Sequence, residues 1–203
     1  MYGRIESYRR TKRVLDILVC LALVPVVVPI LAVCALAIAI DSPGAIFFSQ
    51  WRTGQHGRPF RMYKFRTMVV NAEELKASLA HLNLLPPPDF KVIDDPRITR
   101  AGRFLRRTSL DELPQILNVL LGDMSLVGPR PTSFAVATYE LWHTHRLEAI
   151  PGITGLWQVL ARNRATFDER LRLDIRYVEE MSLMMDLKIL WKTAGVVVRR
   201  DGA

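Results

Sequence analysis

The chain has 203 residues, 50% of them hydrophobic, and 28 Lys+Arg stand against 20 Asp+Glu for a formal net charge of +8. That length suits one domain with one appended element, and a charged fraction of 24% with four Trp argues against a disordered chain. Two cysteines exclude a disulfide scaffold, and with no histidine at zinc spacing they speak against a structural zinc site; both lie in an apolar stretch and read as small hydrophobes.

From Val14 to Ile40 every residue except Asp16, Pro25 and Pro29 is Ala, Val, Ile, Leu or Cys. An apolar run beyond about 18 residues is a membrane-helix candidate. A signal peptide would have a shorter apolar core and a small-residue cleavage site, whereas this run is followed by Asp41. As a straight helix it would extend about 40 Å, more than the roughly 30 Å a hydrocarbon core needs. Pro25 and Pro29 each lack an N–H and crowd a carbonyl one turn earlier, so a kink is expected between them. Arg4, Arg9, Arg10, Lys12 and Arg13 precede the run, and Arg52, Arg58, Arg61, Lys64 and Arg66 follow it. Basic residues favour the cytoplasmic side, and here both ends claim it. A kinked helix that enters and leaves one leaflet satisfies both; the residues favour it and leave a simple span open. Asp16, three and four residues after Arg13 and Lys12, is placed for a salt bridge at headgroup depth.

Beyond Asp41 the pattern shortens. Ala45–Gln50 and Pro59–Phe65 are aromatic-rich and flank a loop with Gly54 and Gly57, which reads as a hairpin. Asn71 to about Leu85 reads as a helix with an Asn cap, ended by Pro86-Pro87-Pro88. A basic stretch follows, with Arg97, Arg100, Arg103, Arg106 and Arg107. Thr166-Phe-Asp-Glu169 fits a capping box and opens a helix with Phe167, Leu171, Ile175 and Val178 on one face; a last helix covers about Met185 to Val198. The predicted class is α+β, mostly helical: an N-terminal kinked re-entrant membrane helix in residues 1–41, then a compact cytoplasmic domain in residues 42–203 with a short β-hairpin.

The strongest candidate for chemistry is Thr108-Ser-Leu-Asp-Glu-Leu-Pro114. Ser109-x-x-Glu112 is also a capping box, and local pattern alone favours that plain reading. Its setting favours chemistry: Asp111 and Glu112 follow the arginine cluster and would sit at a helix start, where dipole and arginines keep carboxylates ionised. An ionised Asp is a nucleophile and an ionised Glu a magnesium ligand, a combination suited to phosphoryl transfer. Gly128-Pro129-Arg130-Pro131 holds one arginine between two prolines, aimed at an anion or solvated on a turn. Pro151-Gly152-Ile-Thr-Gly155-Leu-Trp157-Gln158, followed by Arg162 and Asn163, offers close backbone approach and a ring that either stacks on a base or packs in the core. No histidine triad, GxGxxG or Walker loop is present. The arginine clusters alone also fit a membrane-tethered module that binds nucleic acid or anionic lipid, whose binding would be salt-sensitive and indifferent to Asp111→Asn.

The ordered motifs decide between these. Lys12-Arg13-Val-Leu-Asp16, Asp41-Ser-Pro-Gly44, Tyr63-Lys-Phe-Arg-Thr-Met68, Asp95-Pro-Arg-Ile-Thr99, Arg106-Arg-Thr-Ser-Leu-Asp-Glu-Leu-Pro114, Asn118, Gly122-Asp-Met-Ser-Leu-Val-Gly-Pro-Arg-Pro131, Pro151-Gly-Ile-Thr-Gly155 and Asp186-Leu-Lys-Ile-Leu190 cover nearly all of the chain from residue 12 onward. In them the chain resembles the bacterial sugar transferases, the monotopic polyprenyl-phosphate phosphoglycosyl transferases, and most of all those that initiate exopolysaccharides. The resemblance implies a kinked helix dipping into the cytoplasmic leaflet of the inner membrane and a catalytic domain resting on that face. It implies transfer of hexose 1-phosphate, with galactose or glucose favoured, from a UDP-sugar to undecaprenyl phosphate with release of UMP. By the same resemblance Asp111 is the nucleophile that carries the phosphosugar, Glu112 helps to hold Mg2+, Arg130 binds phosphate, and Arg106, Arg162 and Asp174 line the substrate site. Membrane lipids are expected partners and nucleic acid is not; a homodimer is left open. The chain departs from many relatives in two places. Val28 stands where they have Ser before the kink proline, and Leu160-Ala161-Arg162-Asn163 replaces a Ser- or Asn-Gly-Arg-Asn segment.

Overall fold

A computed structural model describes residues 2–84, 90, 92–132, 139–161 and 165–198. Helix α1 spans Tyr2–Asp41 with Pro25 and Pro29 inside it. Its buried residues, Asp16, Cys20, Val27, Cys34 and Ile38, fall at helical spacing on one stripe. Along the apolar run the rest of its surface is open, with Val26 59%, Val33 68% and Leu36 63% exposed. The helix is long and apolar enough to cross a membrane, and its apolar window is only 11% buried, unlike the core helix of a soluble domain.

Both halves of the buried stripe pack on the same domain. Cys20 joins a cluster with Phe60, Met62, Val119 and Met124, while Cys34 and Ile38 join Phe65 and Leu105. Polar contacts fasten the two ends. Before the apolar run, Lys12 Nζ donates to Asp186 Oδ2 at 2.8 Å and Arg13 donates to the carbonyls of Val119 and Leu120. Asp16 accepts from Ser125 Oγ at 2.7 Å and from the Leu126 amide. The expected pairing of Asp16 with Lys12 or Arg13 does not form, because Asp16 is buried against the domain and finds its donors there. After the run, Asp41 Oδ2 accepts from the Ala101 amide at 2.9 Å, and Arg66 donates to Ser42 and Pro43.

Strands β1 (Phe47–Thr53) and β2 (Pro59–Phe65) form the expected antiparallel hairpin, with Phe47 opposite Phe65 and Arg52 opposite Phe60. The helix expected from Asn71 is much shorter: α2 covers Glu74–Ser78, followed by a 3-10 turn at Ala80–Leu82, and no side chain caps it. With no buried residue it has no apolar face to hold a longer helix in place. Pro86–Pro88 lie outside the described residues. Helices α3 (Arg100–Thr108) and α4 (Gln115–Leu121) follow, joined by a 3-10 turn at Leu110–Glu112.

Strand β3 (Ser125–Val127) pairs in parallel with β4 (Gly152–Thr154), a contact that three-residue strands give no periodicity to announce. Between them lies a 3-10 stretch at Leu141–Glu148. Helices α5 (Leu156–Leu160), α6 (Phe167–Glu180) and α7 (Leu183–Val198) complete the domain. The capping box at Thr166 and Glu169 forms as read, and α6 buries Leu171, Asp174 and Tyr177. Tyr177 donates to Asp186 Oδ1 at 2.7 Å, so Lys12 of α1, α6 and α7 meet on one carboxylate.

Candidate active site

The turn between α3 and α4 presents two adjacent carboxylates with different surroundings. Ser109 adopts a left-handed conformation that ends α3, and its hydroxyl caps nothing. The capping-box reading of Ser109 and Glu112 is therefore overturned, whereas the helix-start setting holds: Asp111 and Glu112 lie in the first turn of the 3-10 segment Leu110–Glu112 that leads into α4. Released from capping, Glu112 points inward. Its Oε1 accepts from Lys64 Nζ at 2.9 Å and from Arg130 Nη2, and its Oε2 accepts from Arg130 Nη1 at 3.1 Å.

Asp111 makes no hydrogen bond or ion pair among the described residues, although Lys64, Arg106 and Arg130 are its electrostatic neighbours. The two acids are accordingly pushed apart. Burial alone would raise the Glu112 carboxyl, but Arg130 and Lys64 hold it well below the usual carboxylate range. Burial raises Asp111, the Glu112 charge raises it further, and the three cations offset this only in part. The cations thus dominate at Glu112, while at Asp111 burial and the Glu112 charge outweigh them and raise its carboxyl above the ordinary value.

Each cation is placed by the fold. Lys64 shares the strand face that buries Phe60 and Met62, and buried Asn118 clamps α4 onto that strand, accepting from the Tyr63 amide at 3.0 Å and donating to the Arg61 carbonyl at 2.7 Å. Arg106 donates from Nε to Thr67 Oγ1 at 2.9 Å. That contact depends on Gly102, where a Cβ would lie 2.1 Å from the Thr67 carbonyl oxygen.

Arg130 is held from behind. Gly128 N donates to Thr154 O and Gly152 N to Pro129 O, both at 2.9 Å. A Cβ on Gly152 would sit 2.1 Å from the Gly128 amide nitrogen, so the glycines of Pro151–Gly155 serve to dock the arginine loop. Arg146 donates to the Arg130 carbonyl and to Asp174 Oδ2. The Arg146–Asp174 pair is sealed, with side chains 2% and 1% exposed. Asp174 thus supports Arg130 through Arg146 as well as lining the site.

Next to Arg130 opens a cavity of about 170 Å³ lined by Arg52, Thr132, Arg146, Trp157, Phe167 and Arg170 among others. Pockets that enclose a whole small ligand run to about 300–1,000 Å³, so this one takes part of a substrate. The Arg170 guanidinium lies over the rings of Trp157 and Phe167, at 5.5 and 5.7 Å from their centroids. Arg162 lies outside the described residues.

Of the residues singled out in the sequence, Asp111, Glu112, Arg106 and Arg130 meet in one place, with Asp174 behind them. Neither Lys64 nor Arg146 is among the site residues expected from the sequence. Lys64 stood in a quoted motif, so a signal existed for it; Arg146 carried none. Among the described residues no three Asp, Glu, His or Cys side chains form a metal cluster. The donor set fits magnesium only in the form that ion favours, one or two carboxylates completed by substrate phosphate oxygens.

A family model described as bacterial sugar transferase matches residues 7–200. The chain is 46% identical over 203 residues to an undecaprenyl-phosphate galactose phosphotransferase of Salmonella typhimurium, covering 98% of this chain and 42% of that protein. It is 51% identical over 164 residues to a galactosyl transferase of Streptococcus agalactiae, covering 79% and 36%. A UDP-glucose:undecaprenyl-phosphate glucose-1-phosphate transferase of Caulobacter vibrioides is 40% identical over 201 residues, covering 95% and 71%. The chain thus spans about two-fifths of the length of the first two.

Proposed function

Because the chain belongs to the bacterial sugar transferase family, we propose that it transfers hexose 1-phosphate, galactose or glucose, from a UDP-sugar to undecaprenyl phosphate and releases UMP. The observation that carries this reading is the division of labour between Asp111 and Glu112. Glu112 neutralises the nearest cations, while Asp111 remains unbonded among them, free to approach an anionic diphosphate.

In the first step an Asp111 carboxylate oxygen attacks the sugar-bearing phosphorus, and the bond from that phosphorus to the bridging oxygen breaks. The bridging oxygen leaves with its electron pair on UMP. In the second step an oxygen of the lipid phosphate attacks the phosphoryl-aspartate in line, and the Asp111 carboxylate is regenerated. Arg130, kept in aim by Arg146 and the paired glycine loops, meets the phosphoryl oxygens, and Arg106 lies on the other flank of Asp111. Bound magnesium, held by Glu112 together with the donor's phosphates, would offset diphosphate charge.

The same reading places the chain on the cytoplasmic face of the inner membrane with α1 re-entrant. It is supported by the attachment of both ends of α1 to one domain, through Lys12 and Asp16 before the apolar run and Asp41 after it. A span would have to carry one of those ends across the bilayer. The test of the reaction is the nucleotide released from UDP-galactose or UDP-glucose with magnesium and undecaprenyl phosphate. UMP that is lost on chelation is expected; UDP would mean a direct glycosyl transfer.

A further inference from the structure

Arg52 has no role in the steps above, yet it lines the cavity beside Arg130. It projects from β1 on the same strand face as Gln50, and its Nη2 donates to Gln50 Oε1 at 2.6 Å. Its Nε is buried and has no partner among the described residues, and it makes no ion pair with any of them. Instead it faces another cation: burial and the neighbouring Arg130 pull its guanidinium down to about 10. The Thr53 amide donates to the Thr132 carbonyl at 3.2 Å, which fixes Arg52 beside the Arg130 loop and at the wall of the 170 Å³ cavity. A partly buried guanidinium with an unpartnered buried Nε beside a like charge, and with Glu112 already shared between Lys64 and Arg130, is a cation that an incoming anion would complete.

Its position says which anion. Lys64, Arg106 and Arg130 all have Asp111 as an electrostatic neighbour. Arg52 has Arg130, Glu112 and Tyr139, but not Asp111. Arg52 and Arg130 both line the 170 Å³ cavity and Asp111 does not, so Arg52 stands on the cavity side of Arg130. In-line displacement puts the departing group on the side of the phosphorus opposite the attacking oxygen. Resting on the two-step reading above, we infer that Arg52 binds the phosphate of the departing nucleoside monophosphate and stabilises the charge that builds on it as the phosphorus–oxygen bond breaks. The bridging oxygen takes the electron pair, and no proton need move.

The experiment separates the two half-reactions in full-length protein held in detergent with magnesium. Formation of the phosphosugar-enzyme is followed after mixing with UDP-hexose; its transfer to undecaprenyl phosphate is followed after UMP is removed. For Arg52→Gln, formation should slow by about 10²-fold or more, the scale of losing one charge-stabilising donor, and UMP should inhibit at least about tenfold more weakly. Transfer of the preformed phosphosugar to lipid should stay within a few-fold of the parent protein. The variant should melt no lower than the parent, because it removes a partly buried cation from beside Arg130. Arg52→Lys, which keeps the charge without the fork, should recover part of the loss. Equal slowing of both half-reactions together with a lowered melting temperature would assign Arg52 a structural role and overturn the inference. An unchanged rate of adduct formation would overturn it too. Absence of any adduct in the parent protein would instead overturn the two-step reading itself.

Discussion

Glu112 accepts from Lys64 and Arg130 at once, while Asp111, its neighbour in the chain, accepts from no described residue. Adjacent acids in one turn thus carry opposite electrostatic burdens. One fixes the cations, and the other is spared them for chemistry.

Replacing Glu112 with Gln should expose that division. Lys64 and Arg130 would lose their shared counter-charge, and charge-assisted bonds contribute roughly 1.5–3 kcal/mol each. A fall in urea-unfolding stability of about that size is expected, with transfer activity lost because Arg130 is no longer aimed. Unchanged stability would mean that the three groups do not form the pair network in solution.

The raised Asp111 carboxyl gives a pH dependence of definite sign. The folded state holds that proton more tightly than the unfolded chain, whose Asp titrates near about 3.9. Its stabilising effect is therefore full below that value and is lost as pH rises through the higher folded value. Asp111→Asn should melt higher than the parent at neutral pH, and the difference should vanish in acid. Phosphosugar formation should fall with acidification already above the ordinary carboxylate range. Equal melting temperatures at neutral pH would remove the case for a strained nucleophile.

Arg146 and Asp174 form a sealed pair behind Arg130. Arg146→Met alone should cost about 3–5 kcal/mol, because it strands a buried charge. The double variant Arg146→Met with Asp174→Leu should regain most of that stability but not the activity, since the Arg130 carbonyl loses its donor. Chemical denaturation paired with a transfer assay checks both. Full activity in the double variant would show that Arg130 needs no support.

Attachment of both ends of α1 to one domain predicts that they share a side of the membrane. Single cysteines at Glu6 and Ala45, both exposed positions, should react alike with an impermeant maleimide in inside-out vesicles and be protected alike in right-side-out ones. Opposite protection of the two positions would make the helix a span.

What the sequence disclosed follows from the range of each interaction. The hairpin and the Thr166–Glu169 cap depend on near neighbours, and both were legible. The same local logic misled at Ser109 and Glu112, where a capping pattern exists but Lys64, 48 residues away, and Arg130 outcompete it for the carboxylate. The helix from Asn71 was overestimated because its propensity is unsupported by packing. The docking of Gly128 on Gly152 was invisible, since three-residue strands carry no period and the glycines looked equally suited to a ligand. Asp111 itself was found through its motif, while its unbonded state emerged only from the three-dimensional distribution of its neighbours' partners.

The most direct measurement is the intact mass of purified protein incubated with magnesium and UDP-galactose or UDP-glucose, without lipid. Expected is an added mass of one hexose phosphate with one of the donors, absent in Asp111→Asn and discharged on adding undecaprenyl phosphate. An adduct that persists in Asp111→Asn, or lipid-dependent UMP release with no adduct in the parent, would contradict the role assigned to Asp111.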